Sequence, residues 1–134
     1  MWREYFKPIY REYCAAAKAE GKFVFMHSDG YIQEIYEDLI EVGVDAINSQ
    51  LFCMDMDVLA EKAKGKITFW GEIDRQWILP DENPQIARDA VRKVADKLYD
   101  SAGGTMAQFE FGLGANPQSA LAVFEEWEKI SKGL

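Results

Sequence analysis

The stretch GKFVFMHSDG, Gly21 to Gly30, contains the pattern that decides the fold of this chain. A glycine ends the preceding helix, a run of apolar, aromatic and β-branched residues follows, and polar residues close the run before the next helix. Short runs of this composition, bounded by turn-forming residues, are typical of buried β-strands. The stretch therefore predicts a helix-to-strand turn at Gly21 and a strand over Lys22–Ser28.

The same pattern occurs three more times along the 134 residues. Between these runs, apolar residues recur at steps of three and four, which is typical of amphipathic helices. A helix of this kind also precedes the first strand. The predicted order is thus α(βα)₄ in a single domain over residues 1–134, with a leading helix over about 2–20 and four βα units over about 22–132. The further strands are VDAINS (Val44–Ser49), KITFWGEI (Lys66–Ile73) and TMAQFEF (Thr105–Phe111).

Two of the predicted helices begin with the dipeptide Asn-Pro. Asn83–Pro84 and Asn116–Pro117 each supply an N-cap followed by proline at the first helical position. These positions predict where two of the helices of the βα units begin.

The strict alternation of strands and helices predicts an α/β fold with parallel strands and right-handed helical crossovers. A doubly wound dinucleotide-binding sheet would carry G-x-G-x-x-G after its first strand, and the segment His27–Gly30 (HSDG) is not that motif. A (β/α)₈ TIM barrel needs eight units in roughly 200–250 residues. We therefore predict half of a TIM barrel, whose two edge strands must be covered by another half-barrel or by a second copy of the chain.

Composition restricts the compartment and the class of partner. The net charge is −8 and no basic stripe is present, which argues against a nucleic-acid partner. No apolar run reaches membrane-spanning length, and Met1–Tyr13 carries charges where a signal peptide has an apolar core. Cys14 and Cys53 form no C-x-x-C pair and indicate free thiols. These features predict a soluble, cytoplasmic protein with neither nucleic acid nor membrane as a partner.

Polar side chains recur in pairs at the ends of all four predicted strands. Residues two apart along a strand lie on the same face of a sheet. The C-terminal ends of the strands are where (β/α)₈ enzymes build their active sites. We therefore predict that the pairs together form one site for a small-molecule substrate. The pairs are His27 with Asp29, Asn48 with Gln50, Glu72 with Asp74, and Gln108 with Glu110.

The chemical types of these side chains suggest their roles. We predict four catalytic residues that can transfer protons: His27, Asp29, Glu72 and Glu110. A second hypothesis is a metal ion held by His27, Asp29 and Glu72, since imidazole with carboxylates suits zinc, iron or manganese. Asp29 could instead be the N-cap of the following helix. The predicted substrate-binding residues are Asn48, Gln50, Asp74, Arg75, Gln76 and Gln108.

Three segments resemble the uroporphyrinogen decarboxylase superfamily: His27–Gly30 (HSDG), Gly43–Asn48 (GVDAIN) and Phe69–Asp74 (FWGEID). The resemblance extends from about Tyr10 through the last Asn-Pro helix. It implies the C-terminal half of that family's (β/α)₈ barrel. The complementary half would then be an N-terminal half-barrel or the other protomer of a homodimer.

The resemblance implies two activities. The superfamily includes decarboxylases of porphyrin biosynthesis, which need no cofactor, and zinc-dependent methyltransferases that act on corrinoid-bound methyl groups and thiols. The methyltransferases carry His-x-Cys at this strand end, where His27 matches and Asp29 replaces the cysteine. The decarboxylases carry Gly-His-Gly near the last strand, where this chain reads FGLG at Phe111–Gly114.

We predict an enzyme domain that transfers a methyl group from a small methylated substrate to a corrinoid or a thiol, with zinc as the candidate metal. The alternatives are a decarboxylating lyase without a cofactor and a catalytically silent half-barrel fragment.

Overall fold

Four short parallel strands lie side by side in chain order in the computed structural model, which describes residues 1–133. The order of the elements is the predicted α(βα)₄. The strands are β1 (Phe25–Ser28), β2 (Ala46–Ser49), β3 (Thr68–Trp70) and β4 (Thr105–Met106). The helices are α1 (Lys7–Ala19), α2 (Tyr36–Val42), α3 (Met56–Ala63), α4 (Pro84–Leu98) and α5 (Pro117–Ser131). A π-helical turn (Trp2–Phe6) precedes α1, and 3₁₀ turns at Gln33–Ile35 and Leu51–Cys53 follow β1 and β2.

The sheet confirms the α/β fold class and matches half of a TIM barrel. Every neighbouring pair of strands is parallel. In the register, His27 lies opposite Asn48, and Asn48 lies opposite Trp70. Because the strands run in the same direction, their C-terminal ends meet at one edge of the sheet, which is the edge that carries the active site in barrel enzymes.

The strands are shorter than the sequence predicted. β3 ends at Trp70 and β4 at Met106, whereas the apolar runs suggested strands to Ile73 and Phe111. Backbone pairing continues only as far as Gly71, whose N–H donates to the Met106 carbonyl at 3.1 Å. Only His27 and Asn48 lie within strands, and the other six members of the four polar pairs lie in the loops that follow. The two-residue periodicity that would place both members of a pair on one face no longer applies there.

The helix starts depend on local capping. The side chains of Asn83 and Asn116 accept hydrogen bonds from the backbone N–H groups of Gln85 and Gln118, at 3.1 and 2.8 Å. Both predicted N-caps are confirmed. Asp29 caps no helix, because the helical turn after β1 begins at Gln33 without a side-chain cap. The N-cap hypothesis for Asp29 is wrong, and its carboxylate is free for other contacts.

The hydrophobic core lies between the sheet and the helices. Tyr36 of α2 packs on Phe69 of β3 with ring centroids 6.0 Å apart, and both residues are buried. The hydroxyl of Tyr36 forms a hydrogen bond of 2.7 Å with the hydroxyl of Ser49. Burial raises the pKa of Tyr36 to about 12, so this hydroxyl stays neutral and bonded.

The opposite face of the sheet is open. Phe25 is 56% exposed and Met106 is 36% exposed, although both lie in strands. Phe25 packs edge-on against Trp70 with ring centroids 5.9 Å apart. A closed barrel buries this face as its interior. Phe25 is therefore not part of the core between the sheet and the helices, although it lies in a strand.

No helix within residues 1–133 combines the length and apolar character needed to cross a membrane.

Candidate active site

Three of the four predicted catalytic residues meet at Arg75. The guanidinium contacts the carboxylates of Asp29 at 3.0 Å, of Glu72 at 3.3 Å, and of Glu110. Asp29 follows β1, Glu72 and Arg75 follow β3, and Glu110 follows β4. The parallel sheet brings these loops to one edge, so side chains far apart in sequence form one charged cluster.

Glu72 is the buried member of this cluster. Glu72 is only 4% exposed, whereas the side chains of Asp29 and Glu110 are more than half exposed. Burial raises the pKa of Glu72, and the negative charges of Glu110 and Asp29 raise it further, while Arg75 opposes the shift. Glu72 therefore holds its proton more readily than an ordinary carboxyl group, which suits a general acid.

The fourth predicted catalytic residue, His27, belongs to a neighbouring network of hydrogen bonds. Its Nδ1 lies 2.6 Å from Oδ1 of Asn48. Nδ2 of Asn48 donates to the Trp70 carbonyl at 2.9 Å and to Oε1 of Gln108 at 3.1 Å. Nε2 of His27 lies 3.6 Å from Oδ2 of Asp29, which connects this network to the cluster around Arg75. All four strand ends thus contribute to one continuous polar surface.

The remaining predicted substrate-binding residues have structural contacts of their own. Oε1 of Gln50 accepts from the Gly30 N–H at 2.7 Å and ties the loops after β1 and β2 together. Asp74 accepts from the backbone N–H groups of Gln76 and Trp77, at 2.7 and 3.2 Å, and shapes the loop after β3. Gln50, Asp74 and Gln76 also line a cleft of about 140 Å³ beside Glu72 and Arg75.

Three residues that line the same cleft were not predicted from the sequence: Phe52, Cys53 and Trp77. Trp77 is 78% exposed, and Cys53 is exposed as well. Sγ of Cys53 lies 3.8 Å from Oε1 of Gln50. The available signal for Trp77 was a large aromatic residue in a polar loop at a strand end, where no helical or strand periodicity places it in the core.

Gly71 lies against the backbone of the neighbouring strand. An added Cβ at this position would lie 3.4 Å from the Met106 carbonyl oxygen, at the lower limit of ordinary van der Waals contact. The contact is made where β3 and β4 end and the loops that carry Glu72 and Glu110 begin.

The three predicted metal ligands, His27, Asp29 and Glu72, are not arranged to bind a metal ion. Within residues 1–133, no group of three or more His, Cys, Asp or Glu side chains is placed to hold a metal. The carboxylates of Asp29 and Glu72 instead share the Arg75 guanidinium. A metal ion coordinated directly by these oxygens would have to displace the guanidinium that already binds them. We therefore assign no metal-dependent step to His27, Asp29 or Glu72.

The comparison with known proteins agrees with this fold. No curated protein matches the chain. The family model described as uroporphyrinogen decarboxylase (URO-D) matches residues 1–127. This match includes all four strands and every residue of the site described above. The chain therefore belongs to the uroporphyrinogen decarboxylase family.

Proposed function

We propose that this chain supplies one half of the active site of an enzyme that transfers a methyl group from a small, neutral or cationic methylated compound to a corrinoid or a thiol. The observation that carries the proposal is the composition of the strand-end cluster. Three carboxyl groups surround a single guanidinium. One of the three, Glu72, is buried, and burial raises its pKa.

The charge balance of the cluster selects against anionic substrates. Arg75 already binds Asp29, Glu72 and Glu110, so it offers little attraction to a further carboxylate. Recognition of a polycarboxylate requires uncommitted arginines in paired geometry. A small neutral or positively charged substrate is favoured instead, because the exposed carboxylates of Asp29 and Glu110 outnumber the single guanidinium and leave an excess of negative charge that repels anions.

The buried acid has a defined task in such a reaction. When a methyl group leaves the oxygen or sulfur of a neutral ether or thioether group, the electron pair of the broken bond stays on that atom, which becomes anionic and takes up a proton. Glu72 can donate this proton because burial favours its neutral form. Arg75 stabilises the carboxylate that results, at 3.3 Å. A corrinoid or thiolate acceptor supplies the nucleophile when it is bound.

Ligand charge provides the first test. We would titrate the chain by calorimetry with a tetramethylammonium salt as the cationic probe, and with uroporphyrin as the polycarboxylate probe. We expect the cation to bind and Glu110→Gln to weaken it by about tenfold, equivalent to about 1.4 kcal/mol. Glu128→Gln is the matched control, because Glu128 is an exposed carboxylate paired with Lys132 on α5.

Activity provides the second test. Methylation of a reduced corrinoid by a small methylated donor can be followed by absorbance, with Glu72→Gln as the variant that lacks the acid. We expect turnover in the natural chain, alone or with a complementary half-barrel, and a loss of about 10²-fold or more in the variant. Tight binding of uroporphyrin together with decarboxylation of uroporphyrinogen would contradict the proposal and favour a lyase. No turnover of any kind would favour a silent fragment.

A further inference from the structure

We propose that Asn48 is a positioning residue that fixes His27 as its Nδ1–H tautomer and so presents an unprotonated Nε2 to the substrate. The register of the sheet creates the contact, because His27, Asn48 and Trp70 lie opposite one another on β1, β2 and β3. Asn48 is thus held between an imidazole on one side and a backbone carbonyl on the other.

The backbone determines which way the Asn48 amide points. A carbonyl oxygen can only accept a hydrogen bond, so the Asn48 atom 2.9 Å from the Trp70 carbonyl must be Nδ2. The same nitrogen donates to Oε1 of Gln108 at 3.1 Å, which uses its second hydrogen. The atom that faces His27 is therefore Oδ1, an acceptor.

The orientation of Asn48 in turn determines the tautomer of His27. Nδ1 lies 2.6 Å from an atom that cannot donate, so Nδ1 must carry the hydrogen. A neutral imidazole carries only one N–H, which leaves Nε2 with a free electron pair. Hydrogen bonding at one ring nitrogen commonly sets the role of the other in this way.

The free Nε2 lies beside a second acceptor. Oδ2 of Asp29 is 3.6 Å away, which is too far for a direct hydrogen bond. The His27 side chain is 58% exposed, so both acceptors are open to a ligand. A substrate group that carries N–H or O–H hydrogens can donate to both. This extension rests on the proposed function, and it adds that the methylated substrate carries such a group.

The tautomer can be measured directly. His27 is the only histidine of the chain, so long-range ¹H–¹⁵N NMR of ¹⁵N-histidine-labelled protein reports on it without assignment. The spectra are recorded at about pH 8.5, above the pKa of a free imidazole. We expect Nδ1 to carry the hydrogen in the natural chain. Asn48→Leu removes the acceptor and should shift the population towards the Nε2–H form that an unconstrained imidazole prefers.

Two further variants separate positioning from a general loss of structure. Asn48→Asp replaces the amide donor that faces the Trp70 carbonyl, but it keeps an oxygen acceptor opposite Nδ1 and should therefore retain the Nδ1–H form. Ser49→Ala removes a buried hydrogen bond of 2.7 Å from the other face of the same strand and should leave the tautomer unchanged. If Asn48→Leu does not fold by circular dichroism, Asn48→Ala takes its place, because alanine also lacks the acceptor.

An Nε2–H signal in the natural chain, or an unchanged tautomer in the variants without the acceptor, would overturn the proposal. The measurement needs no substrate. A chain with the expected tautomer and no methyl transfer would therefore contradict the proposed function alone, and methyl transfer with the opposite tautomer would contradict only the role of Asn48.

Discussion

Truncation of two phenylalanines of the sheet, Phe69 in β3 and Phe25 in β1, should lower the free energy of unfolding by very different amounts. Phe69 is 1% exposed and packs on Tyr36 between the sheet and the helices, whereas Phe25 is 56% exposed on the open face. Phe69→Ala removes a fully buried ring and leaves a cavity, at an expected cost of about 3–5 kcal/mol. Full burial of a Phe side chain contributes about 1.5–3 kcal/mol. Because slightly less than half of Phe25 is buried, we expect Phe25→Ala to lower the free energy of unfolding by about 1 kcal/mol.

The comparison requires equilibrium unfolding of both variants in urea, followed by circular dichroism. Phe69→Leu, which preserves most of the volume, is the matched control and should cost less than about 1.5 kcal/mol. The slope of the free energy of unfolding against urea should stay constant, so that the midpoints report stability. The concentration must be low enough for the chain to be monomeric by light scattering, since association would cover the open face.

Equal losses from Phe25→Ala and Phe69→Ala under these conditions would refute the reasoning. The inner face of the sheet would then be packed in the isolated chain, and the half-barrel architecture with one open face would be incorrect. A cost for Phe25→Ala that grows with protein concentration has a different meaning, because it places Phe25 in an interface between chains.

Further measurements examine the charged cluster and the open edges. Arg75→Met should lower the free energy of unfolding by about 2 kcal/mol. This is less than the ~3–5 kcal/mol of fully buried ion pairs, because the Arg75 side chain is 29% exposed. Adding Glu72→Gln to the Arg75→Met variant should restore part of this loss. The folded state binds a proton at Glu72 more tightly than the unfolded state. As pH rises from the ordinary carboxyl range through the raised pKa of Glu72, the free energy of unfolding should therefore fall relative to Glu72→Gln, as urea denaturation at several pH values would show. Light scattering should show self-association at micromolar concentration, because strand edges and apolar surface are exposed, and a clean monomer would contradict this. Calorimetry with zinc should show no binding tighter than about millimolar, since Arg75 occupies the carboxylates, whereas tight binding abolished by His27→Ala would restore the predicted metal site.

The sequence predicted the elements and their order because both depend on neighbouring residues. Asn83 and Asn116 cap the helices that follow them, with partners two residues away. Gly43 ends α2 in the left-handed conformation that glycine adopts without strain. The alternation of such elements implies parallel strands, and the family model agrees with the resemblance in the strand-end segments.

The sequence also identified which polar residues lie at the C-terminal edge of the sheet, but it did not predict their partners. His27, Asn48 and Gln108 were expected to face the same site, and the structure joins them by hydrogen bonds. Arg75 was expected to bind substrate, yet it binds Asp29 and Glu110, each at least 35 positions away along the chain. A spacing of two residues along a strand cannot predict such pairs, because the loops beyond the strands leave the extended conformation.

The sequence by itself determined the α(βα)₄ order, the helix caps and the set of polar residues at the strand ends, since each follows from interactions within a few residues. Only the tertiary structure decided that Glu72 is buried, that Arg75 is shared by three carboxylates, and that the Asn48 amide points its oxygen at His27. These properties depend on strand register and on loops that come together from distant parts of the chain. Solvent exclusion and the geometry of donors and acceptors in the folded protein then set the charge and the proton position of each group.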